Sequence, residues 1–497
     1  MTVLMGLDIG TSGARAVAVG EDGGILAEAV SAYGLDTPHP GWAEQRPQEW
    51  WTAAKAVLRR VAGTVGGERI AGLGITGQMH GAVFLDAQDA VIRPALLWND
   101  QRTAEQCDAI TSRVGADRLL ATTGNAALTG FQAPKILWLA DAEPHAYRRV
   151  RSVLLPKDYI RLQLTGDRAT DASDASGTLL LDIGRRAWSP EILDALEIPE
   201  SWLPPVFEGT EATGRLLNRV ADDLGLPRGL TVAAGAGDNA AAAVGAGIIQ
   251  HGLVSSSVGT SGVVFAHRDT GLPDQSGRIQ TFCHAFPGAY HQMGVTLSAG
   301  GSLAWWRQII GAEHDFDALA REAADVRVGS DGLVFLPYLT GERTPHLDPR
   351  ARGGFVGLTL RHGRAHMTRA VMEGVIFSMR QALEIMRTLG LKVEEVRAVG
   401  GGARSVLWRQ LQADVFGHPV RRTAIDEGPA LGAALLAGVA CGLFPVSEAT
   451  SQIELDPAVN EPDPARMDAY DEVYGVYGSL YEINRQAMHD LAELDAR

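Results

Sequence analysis

Two copies of the sequence Gly-Thr-Ser-Gly, at 10–13 and 259–262, are the first residues whose chemistry suggests a ligand. Each copy follows one apolar run and precedes another, a pattern typical of a hairpin turn between two strands. Such a turn offers backbone N–H groups and two hydroxyls to phosphate oxygens, and its glycines let a ligand approach the backbone. One copy would be compatible with an ordinary hairpin, whereas two copies predict two related lobes that need the same loop. The candidate phosphate-binding residues are Gly10, Thr11, Ser12, Gly259, Thr260 and Ser261.

Two aspartates at the ends of predicted strands are candidates for metal binding and acid–base chemistry. The sequence has no G-x-x-x-x-G-K-[ST] motif, so a bound polyphosphate needs another positive charge, for which Mg²⁺ is the obvious source. Asp8, directly before the first turn, could hold Mg²⁺ itself or through water. Asp238 lies between a strand at 230–237 and a helix, whose dipole favours the ionised carboxylate. It could accept a hydroxyl proton or bind the metal, although capping its own helix is the structural alternative.

The elements that must position these residues follow a repeated order. The first 30 residues predict a three-stranded meander that contains the first turn, and a further strand follows at 70–78. Residues 252–268 repeat the strand, turn, strand order, and the segment 369–390 carries apolar residues at helical spacing. We predict an α/β fold of two lobes, each a mixed β-sheet with flanking helices. The lobes are expected to meet near Gly247 and to leave a cleft between them.

The composition argues against several classes of protein. The 497 residues are 46% hydrophobic and 21% charged, which suits two globular domains. The formal net charge of −15, without a run of lysines or arginines, argues against nucleic-acid binding. Three widely spaced cysteines form no metal or disulfide pattern, and neither a signal peptide nor a stretch of about 20 apolar residues is visible. We therefore expect a cytoplasmic protein with neither a nucleic-acid nor a membrane partner.

Segments in both halves of the chain resemble the FGGY family of carbohydrate kinases, within the actin-like ATPase superfamily. They are GLDIGTSGARAV (6–17), PGWAEQRPQEWW (40–51), GITGQMHGAVFLD (74–86), LLWNDQR (96–102), GFQAPKILWL (130–139), LLPKDYIRLQLTG (154–166), GAGDNAAAAVG (235–245), VGTSGVVF (258–265), LPYLTGERTPH (336–346), GGARSVLWRQLQAD (401–414) and GPALGAALLA (428–437). Agreement over so many segments, nearly from end to end, is not a matter of chance.

The resemblance implies two ribonuclease-H-like lobes with an active site in the cleft between them. Residues 1–246 would form the lobe with the sugar site, the first phosphate hairpin and the catalytic base. Residues 247–497 would form the lobe with the second hairpin and the adenosine-binding turn. Asp238, in GDN, matches the family's base, and the adenosine-binding turn matches Gly400, Gly401, Gly402 and Ala403.

The segment GQMHG (77–81) resembles the family's sugar-binding turn. The resemblance implies that the main chain of Met79 and the ring of His80 contact sugar hydroxyls, although a histidine beside glycine can also be simply packed. Weaker candidates for the same pocket are Gln78, Trp98, Asn99 and Asp100. Trp98 could instead be a core residue, and Asp100 could anchor a turn. The segment GERTPH (341–346) also matches the family, but its charged residues could form a structural ion pair.

The activity that the resemblance implies is ATP-dependent phosphorylation of a sugar, with ATP and Mg²⁺ required. D-xylulose, phosphorylated at O5, is the expected substrate, and ribulose, gluconate or a related polyol is the alternative. An actin-like chaperone or filament subunit would share the paired turns, but it would need neither the base nor the sugar turn. The oligomeric state stays open at this level, and a homodimer is compatible with the resemblance.

Overall fold

The computed structural model describes residues 2–424, 428–451 and 453–495. The strands of the first half are β1 (Val3–Ile9), β2 (Gly13–Val19), β3 (Ile25–Ala32), β4 (Glu44–Gln45), β5 (Ile70–Gly77), β6 (Val83–Leu85), β7 (Ala95–Leu96), β8 (Ser152–Leu154), β9 (Thr170–Asp171), β10 (Leu181–Asp182), β11 (Ala187–Trp188), β12 (Val206–Phe207), β13 (Ala212–Arg215), β14 (Thr231–Ala233) and β15 (Ala236–Gly237). Its helices are α1 (Pro47–Val65), α2 (Ala104–Val114), α3 (Ala116–Thr123), α4 (Gln132–Ala142), α5 (Pro144–Tyr147), α6 (Pro156–Thr165), α7 (Ala172–Ser176), α8 (Pro190–Leu196), α9 (Asn218–Leu224) and α10 (Asp238–Gly245).

The second half continues the same alternation of strands and helices. Its strands are β16 (Leu253–Val258), β17 (Gly262–Arg268), β18 (Gln280–Cys283), β19 (Tyr290–Thr296), β20 (Val334–Leu336), β21 (Gly354–Val356), β22 (Glu395–Val399) and β23 (Val420–Arg422). Its helices are α11 (Gly300–Ile310), α12 (Phe316–Ala324), α13 (Arg364–Thr388), α14 (Val406–Phe416), α15 (Pro429–Ala440) and α16 (Pro464–Asp495).

Two large sheets dominate the described residues, and five strands of each follow the same order. The first sheet runs β13-β14-β5-β1-β2-β3, with β15 also paired to β5, and the second runs β18-β19-β17-β16-β22-β23. In both, an antiparallel meander (β1–β2–β3, β16–β17–β19) is extended by parallel strands on the other side of its first strand. This repetition confirms the predicted α/β fold with two lobes.

The predicted strand at 230–237 is interrupted in the structure. It forms β14 and β15, separated by Ala234 and Gly235. Gly235 has a φ of +77°, and a side chain there would place its Cβ 1.7 Å from the carbonyl oxygen of Ile75 in β5. The positive φ breaks the strand because that conformation is outside the β region, and only glycine adopts it without cost.

Helix α15, from the second half of the chain, packs on the first sheet. Cβ atoms at Gly6 of β1 and Gly74 of β5 would lie 1.8 Å from carbonyl oxygens of this helix, so glycine allows the close approach. The helix also packs along α10, where a Cβ at Gly432 would lie 1.8 Å from the carbonyl oxygen of Ala241. The predicted boundary between 246 and 247 therefore stays a prediction, since α15 returns to the lobe that contains β1.

Two features bear on the surroundings of the protein. Cys107, Cys283 and Cys441 form no disulfide, and the first two are buried. Among the helices in the described ranges, none has both the length and the apolar character that a membrane crossing requires.

Candidate active site

A cavity of about 210 Å³ lies where the two lobes face each other. Both Gly-Thr-Ser-Gly turns reach it, through Thr11 of the first and Ser261 of the second, and Asp238 lines it together with His80. The remaining lining residues are Met79, Trp98, Leu128, Gly130, Phe131, Asn239, Val263, Gln280, Met293, Val295 and Arg343. Six of the sequence-predicted site residues therefore meet in one cavity: Thr11, Met79, His80, Trp98, Asp238 and Ser261.

The first turn is held by side chains that the sequence analysis assigned to the sugar. Trp98 donates from Nε1 to the hydroxyl of Thr11 (2.9 Å), and that hydroxyl donates to Oε1 of the buried Gln78 (3.2 Å). Within the turn, the N–H of Gly10 donates to the carbonyl of Gly13 (3.0 Å). Gln78 thus reaches the cavity only through Thr11, whereas Trp98 lines the cavity itself.

Asp8 lies directly behind the first turn. Its Oδ2 is 3.8 Å from the position that a Cβ on Gly10 would occupy. The neighbouring Tyr33 donates its hydroxyl proton to the carbonyl of Gly10, and burial, followed by the charge of Asp8, raises the pKa of that hydroxyl. Asp8 does not line the cavity.

The second turn rests on the first residues of α11. Gly300 donates its N–H to the carbonyl of Gly259 (2.7 Å), and Ala299 and Gly301 donate to the carbonyl of Thr260 (2.8 and 3.1 Å). A Cβ at Gly300 would lie 2.6 Å from the carbonyl oxygen of Gly259. Glycine is required there because the backbone of the helix start lies against the turn.

The predicted adenosine-binding turn lies beside the second hairpin. It follows β22, which runs parallel to β16, and Gly400 begins it with a φ of +75°. A Cβ at Gly402 would lie 2.6 Å from Cβ of Val258, whereas a Cβ at Gly401 would meet no atom within 4 Å. Ala403 is buried. One glycine of the turn is therefore packed, and its neighbour presents bare backbone to open space.

Asp238 is the first residue of α10, and Gly237 occupies the N-cap. Oδ1 of Asp238 accepts hydrogen bonds from the backbone N–H (2.7 Å) and the side-chain amide (2.9 Å) of Asn239. Burial raises the pKa of the carboxyl to about 6, against these two bonds, which lower it. The helix dipole does not keep the pKa in its usual range, but the carboxylate is still the main form at pH 7. Such a group can accept a proton near neutral pH.

His80 has an unusual backbone and a fixed ring. Its φ is +69°, and Nδ1 lies 2.7 Å from the carbonyl oxygen of Gly177. A carbonyl can only accept, so Nδ1 carries the proton and Nε2 is left as an acceptor. Burial lowers the pKa of His80 to about 3, and the ring is therefore neutral. A neutral Nε2 can accept a hydrogen bond from a substrate hydroxyl.

Two further sugar-site candidates do not line the cavity. Asp100 is buried and accepts from the backbone N–H of Ala43 (2.7 Å), and it pairs with the buried guanidinium of Arg102 (2.6 Å). These contacts are those of a structural anchor. Asn99 is likewise absent from the cavity lining.

The short helix α7 supports the site, and the sequence analysis did not single it out. Asp171 caps it, accepting from the N–H (2.8 Å) and the hydroxyl of Ser173. The same Ser173 hydroxyl accepts from the N–H of Gly237 (3.1 Å), directly before Asp238. Gly177, at the other end of α7, holds His80. One short helix therefore positions both the backbone before Asp238 and the ring of His80. An N-cap aspartate before small residues was its only local signal.

A buried ion cluster stands behind α7. Lys157 pairs with Asp158, with Asp171 (2.9 Å) and with Asp174 (3.6 Å), and all four side chains are buried. Burial raises the pKa of Asp174 well above its usual range. The lysine lies in a segment that carries the family resemblance, but the sequence provides no signal for its partners because two of them lie more than ten residues downstream.

Two basic residues at or beside the cavity were not among the candidates from the sequence. Lys135 is buried and donates from Nζ to the carbonyl oxygens of Gly130, Phe131 (2.8 Å), Thr129 (3.2 Å) and His80 (3.4 Å). Arg343, from GERTPH, lines the cavity, and no ion pair joins it to Glu342 among the described residues. The structural ion pair that the sequence suggested for this segment is therefore absent from the described residues.

Comparisons with known proteins identify the family of this chain. The N-terminal domain of the FGGY family of carbohydrate kinases matches residues 3–245, and its C-terminal domain matches residues 254–441. The chain belongs to this family and is an ATP-dependent carbohydrate kinase.

One curated relative and two solved structures are similar to this chain over nearly its full length. The xylulose kinase of Lactococcus lactis is 41% identical, over 100% of this chain and 99% of its own. The solved structure of a "xyloylose kinase" from Brucella ovis is 39% identical, with a TM-score of 0.93 over 98% of this chain and 100% of that one. A gluconate kinase structure from Lactobacillus acidophilus is 28% identical, with a TM-score of 0.93 over 97% and 98% of the two chains. The fold is thus shared by kinases named for different sugars.

Proposed function

We propose that the protein transfers the γ-phosphoryl group of ATP to O5 of D-xylulose. The single observation that carries this proposal is the meeting of both turns, Asp238 and His80 in one interlobe cavity. The turns supply donors for the phosphate chain, and Asp238 supplies a base beside them. Relatives named as xylulose kinases, identical at about two residues in five over the full length, support D-xylulose as the acceptor.

The proposed chemistry needs little more than alignment. The O5 hydroxyl would lie against Asp238, whose carboxylate accepts the proton as the oxygen attacks phosphorus. Oδ1 is engaged by Asn239, so the proton would go to Oδ2. Neutral His80 would accept a hydrogen bond from another sugar hydroxyl through Nε2. Thr11, Ser12, Thr260 and Ser261, with the N–H groups of their turns, would hold the phosphate oxygens in line.

Mg²⁺ fits the proposal through Asp8. Within the described ranges, no group of three or more His, Cys, Asp or Glu side chains could enclose a metal. Mg²⁺ is usually bound by one or two carboxylates together with substrate phosphates and waters, and Asp8, behind the first turn, suits that role. When bound, the ion would neutralise charge on the phosphate chain. Asp238 is the second candidate ligand.

The adenosine would lie against Gly401. Its backbone faces open space beside the second hairpin, so a flat ring could approach without meeting a Cβ. We further propose a cytoplasmic location, supported by three cysteines that form no disulfide. A homodimer also stays a prediction, which sedimentation at several concentrations would check.

A second candidate function is phosphorylation of an acidic sugar such as gluconate. The guanidinium of Arg343 in the cavity is the specific observation that favours it, since arginine suits carboxylates. ADP release with D-xylulose, D-ribulose, D-gluconate and xylitol separates the candidates. We expect D-xylulose to have the highest kcat/KM, with loss of turnover in Asp238→Asn. A wild-type preference for gluconate would replace the first function with the second.

A further inference from the structure

Arg343 is a cavity residue that the proposed chemistry does not use. Its guanidinium forms no hydrogen bond and no ion pair with any described residue; its backbone N–H donates to Oε1 of Glu342 (2.8 Å), and its carbonyl accepts from the N–H of Leu347 (2.6 Å). Burial lowers the pKa of Arg343, and the residue is half-buried where it lines the cavity. A guanidinium has five donors and no acceptor, and removing it from water without a partner is costly. A ligand in the cavity is the natural source of acceptors.

The backbone around Arg343 is firmly held. The carboxylate of Glu342 is buried and accepts from the hydroxyls of Thr296 and Ser378 and from the N–H of Leu297 (3.0 Å). The next residue, Thr344, donates its N–H to the carbonyl of Val295 (3.0 Å) and accepts from the N–H of Val295 (3.1 Å). The guanidinium is therefore presented from a fixed base, as a specificity residue requires.

Arg343 lines the same cavity as His80 and Asp238. The charge of Arg343 helps to lower the pKa of His80, whereas the pKa of Asp238 is set by burial and by Asn239. The hydroxyl that reacts must lie at Asp238. A substrate bound along the cavity therefore directs its other end towards Arg343.

We propose that Arg343 recognises the non-reacting end of the sugar, donating hydrogen bonds to the C2 carbonyl oxygen and to O1 of an open-chain ketose. This assignment rests on the proposed function, in which O5 lies at Asp238. A carbonyl oxygen accepts and cannot donate, so it matches a group that only donates. The segment GERTPH thereby provides a sugar contact from the second lobe, in the same cavity as the Met79–His80 turn of the first.

The test is Arg343→Met, with Arg350→Met as the matched control. Arg350 lies seven residues after Arg343 and is exposed, and its guanidinium is 3.6 Å from the carboxylate of Glu493 at the surface. Loss of a charged hydrogen bond predicts a KM for D-xylulose about 10- to 100-fold higher, with kcat and the KM for ATP nearly unchanged. Arg343→Lys keeps the charge but has fewer donors, and it should fall between wild type and Met. Arg350→Met should match wild type, and thermal unfolding shows whether each variant is folded.

A substrate analogue that lacks O1 tests the proposed hydrogen bond between Arg343 and O1. Wild type should prefer D-xylulose over 1-deoxy-D-xylulose, which lacks O1, and Arg343→Met should lose about tenfold of that preference. If Arg343→Met lowered kcat/KM equally for both sugars, the proposal would be overturned. A lower kcat with an unchanged KM for the sugar would also overturn it, because that result would indicate a contact with the transferred phosphoryl group. A folded Arg343→Met with wild-type KM would also overturn it while leaving the proposed function intact. Wild type that phosphorylates no ketose would instead refute the proposed function itself, and this assignment with it.

Discussion

The burial of Asp238 predicts an acidic limb in the pH dependence of the reaction. A base works as the carboxylate, so kcat/KM for the sugar should follow the ionised fraction of Asp238. With a pKa of about 6, the ratio of ionised to protonated Asp238 is roughly 10:1 at pH 7 and roughly 1:10 at pH 5. We therefore expect kcat/KM to fall about tenfold from pH 7 to pH 5. An aspartate with its ordinary pKa would show almost no fall over that range.

The assay is ADP release at saturating ATP, with D-xylulose varied between pH 5 and 8. His80, with a pKa of about 3, stays neutral throughout this range and does not contribute. Glu342 does titrate here, because burial raises its pKa to about 7. The matched variant Glu342→Gln removes that second ionisation, and it should keep the limb near pH 6.

Asp238→Asn completes the experiment. It should lower kcat by about 10²- to 10⁴-fold, the usual contribution of a general base, and its residual rate should not change between pH 5 and pH 7. ATP binding should be retained, since the turns are intact. A wild-type profile that is flat down to pH 5, or an Asp238→Asn enzyme within about tenfold of wild type, would refute the reasoning.

Three further predictions test the support of the site. Ser173→Ala should lower kcat about 3- to 10-fold, because the N–H of Gly237, directly before Asp238, loses its hydrogen bond. Ser176→Ala on the same helix is the control and should change kcat less, as measured by steady-state kinetics. Lys135→Met should lower the free energy of unfolding by about 1–3 kcal/mol and raise the sugar KM, since carbonyls bordering the cavity lose their donor; chemical denaturation measures the first effect. Gly401→Ala should raise the KM for ATP in a protein of wild-type Tm, whereas Gly402→Ala should lower Tm because its Cβ would clash; equal behaviour of the two would contradict the proposed adenosine site.

Local patterns were sufficient for much of the fold. The meander around the first turn and its repeat around the second were predicted because hairpins join strands that are neighbours in sequence. Helix α13 was predicted from its apolar spacing, although it begins at Arg364, earlier than the pattern indicated. Interruption of the strand at Gly235 was not predicted, because the contact with Ile75 that requires it comes from a distant strand.

The candidate site residues likewise divide into those that a local motif predicted correctly and those whose environment depends on the fold. Thr11, Ser261 and Asp238 stood in local motifs whose chemistry could be read directly, and the structure brings them to one cavity. Asp100 stood in an equally suggestive segment, yet Arg102 holds it in a buried ion pair away from the cavity. A sequence shows which side chains carry charge, but the partner that neutralises the charge depends on the fold.

By itself, the sequence determined the family, that of the carbohydrate kinases, and it supplied the candidates for the chemistry, which are two Gly-Thr-Ser-Gly turns and one carboxylate at a helix start. Only the tertiary structure decided that Gly177 fixes the ring of His80, that Ser173 holds the backbone before Asp238 and that Arg343 lines the cavity from the second half of the chain. These contacts join residues that lie tens to hundreds of positions apart. Hydrophobic periodicity and turn signals report only on near neighbours in the chain, so they cannot predict such contacts. The contacts form only when both lobes have folded and face each other.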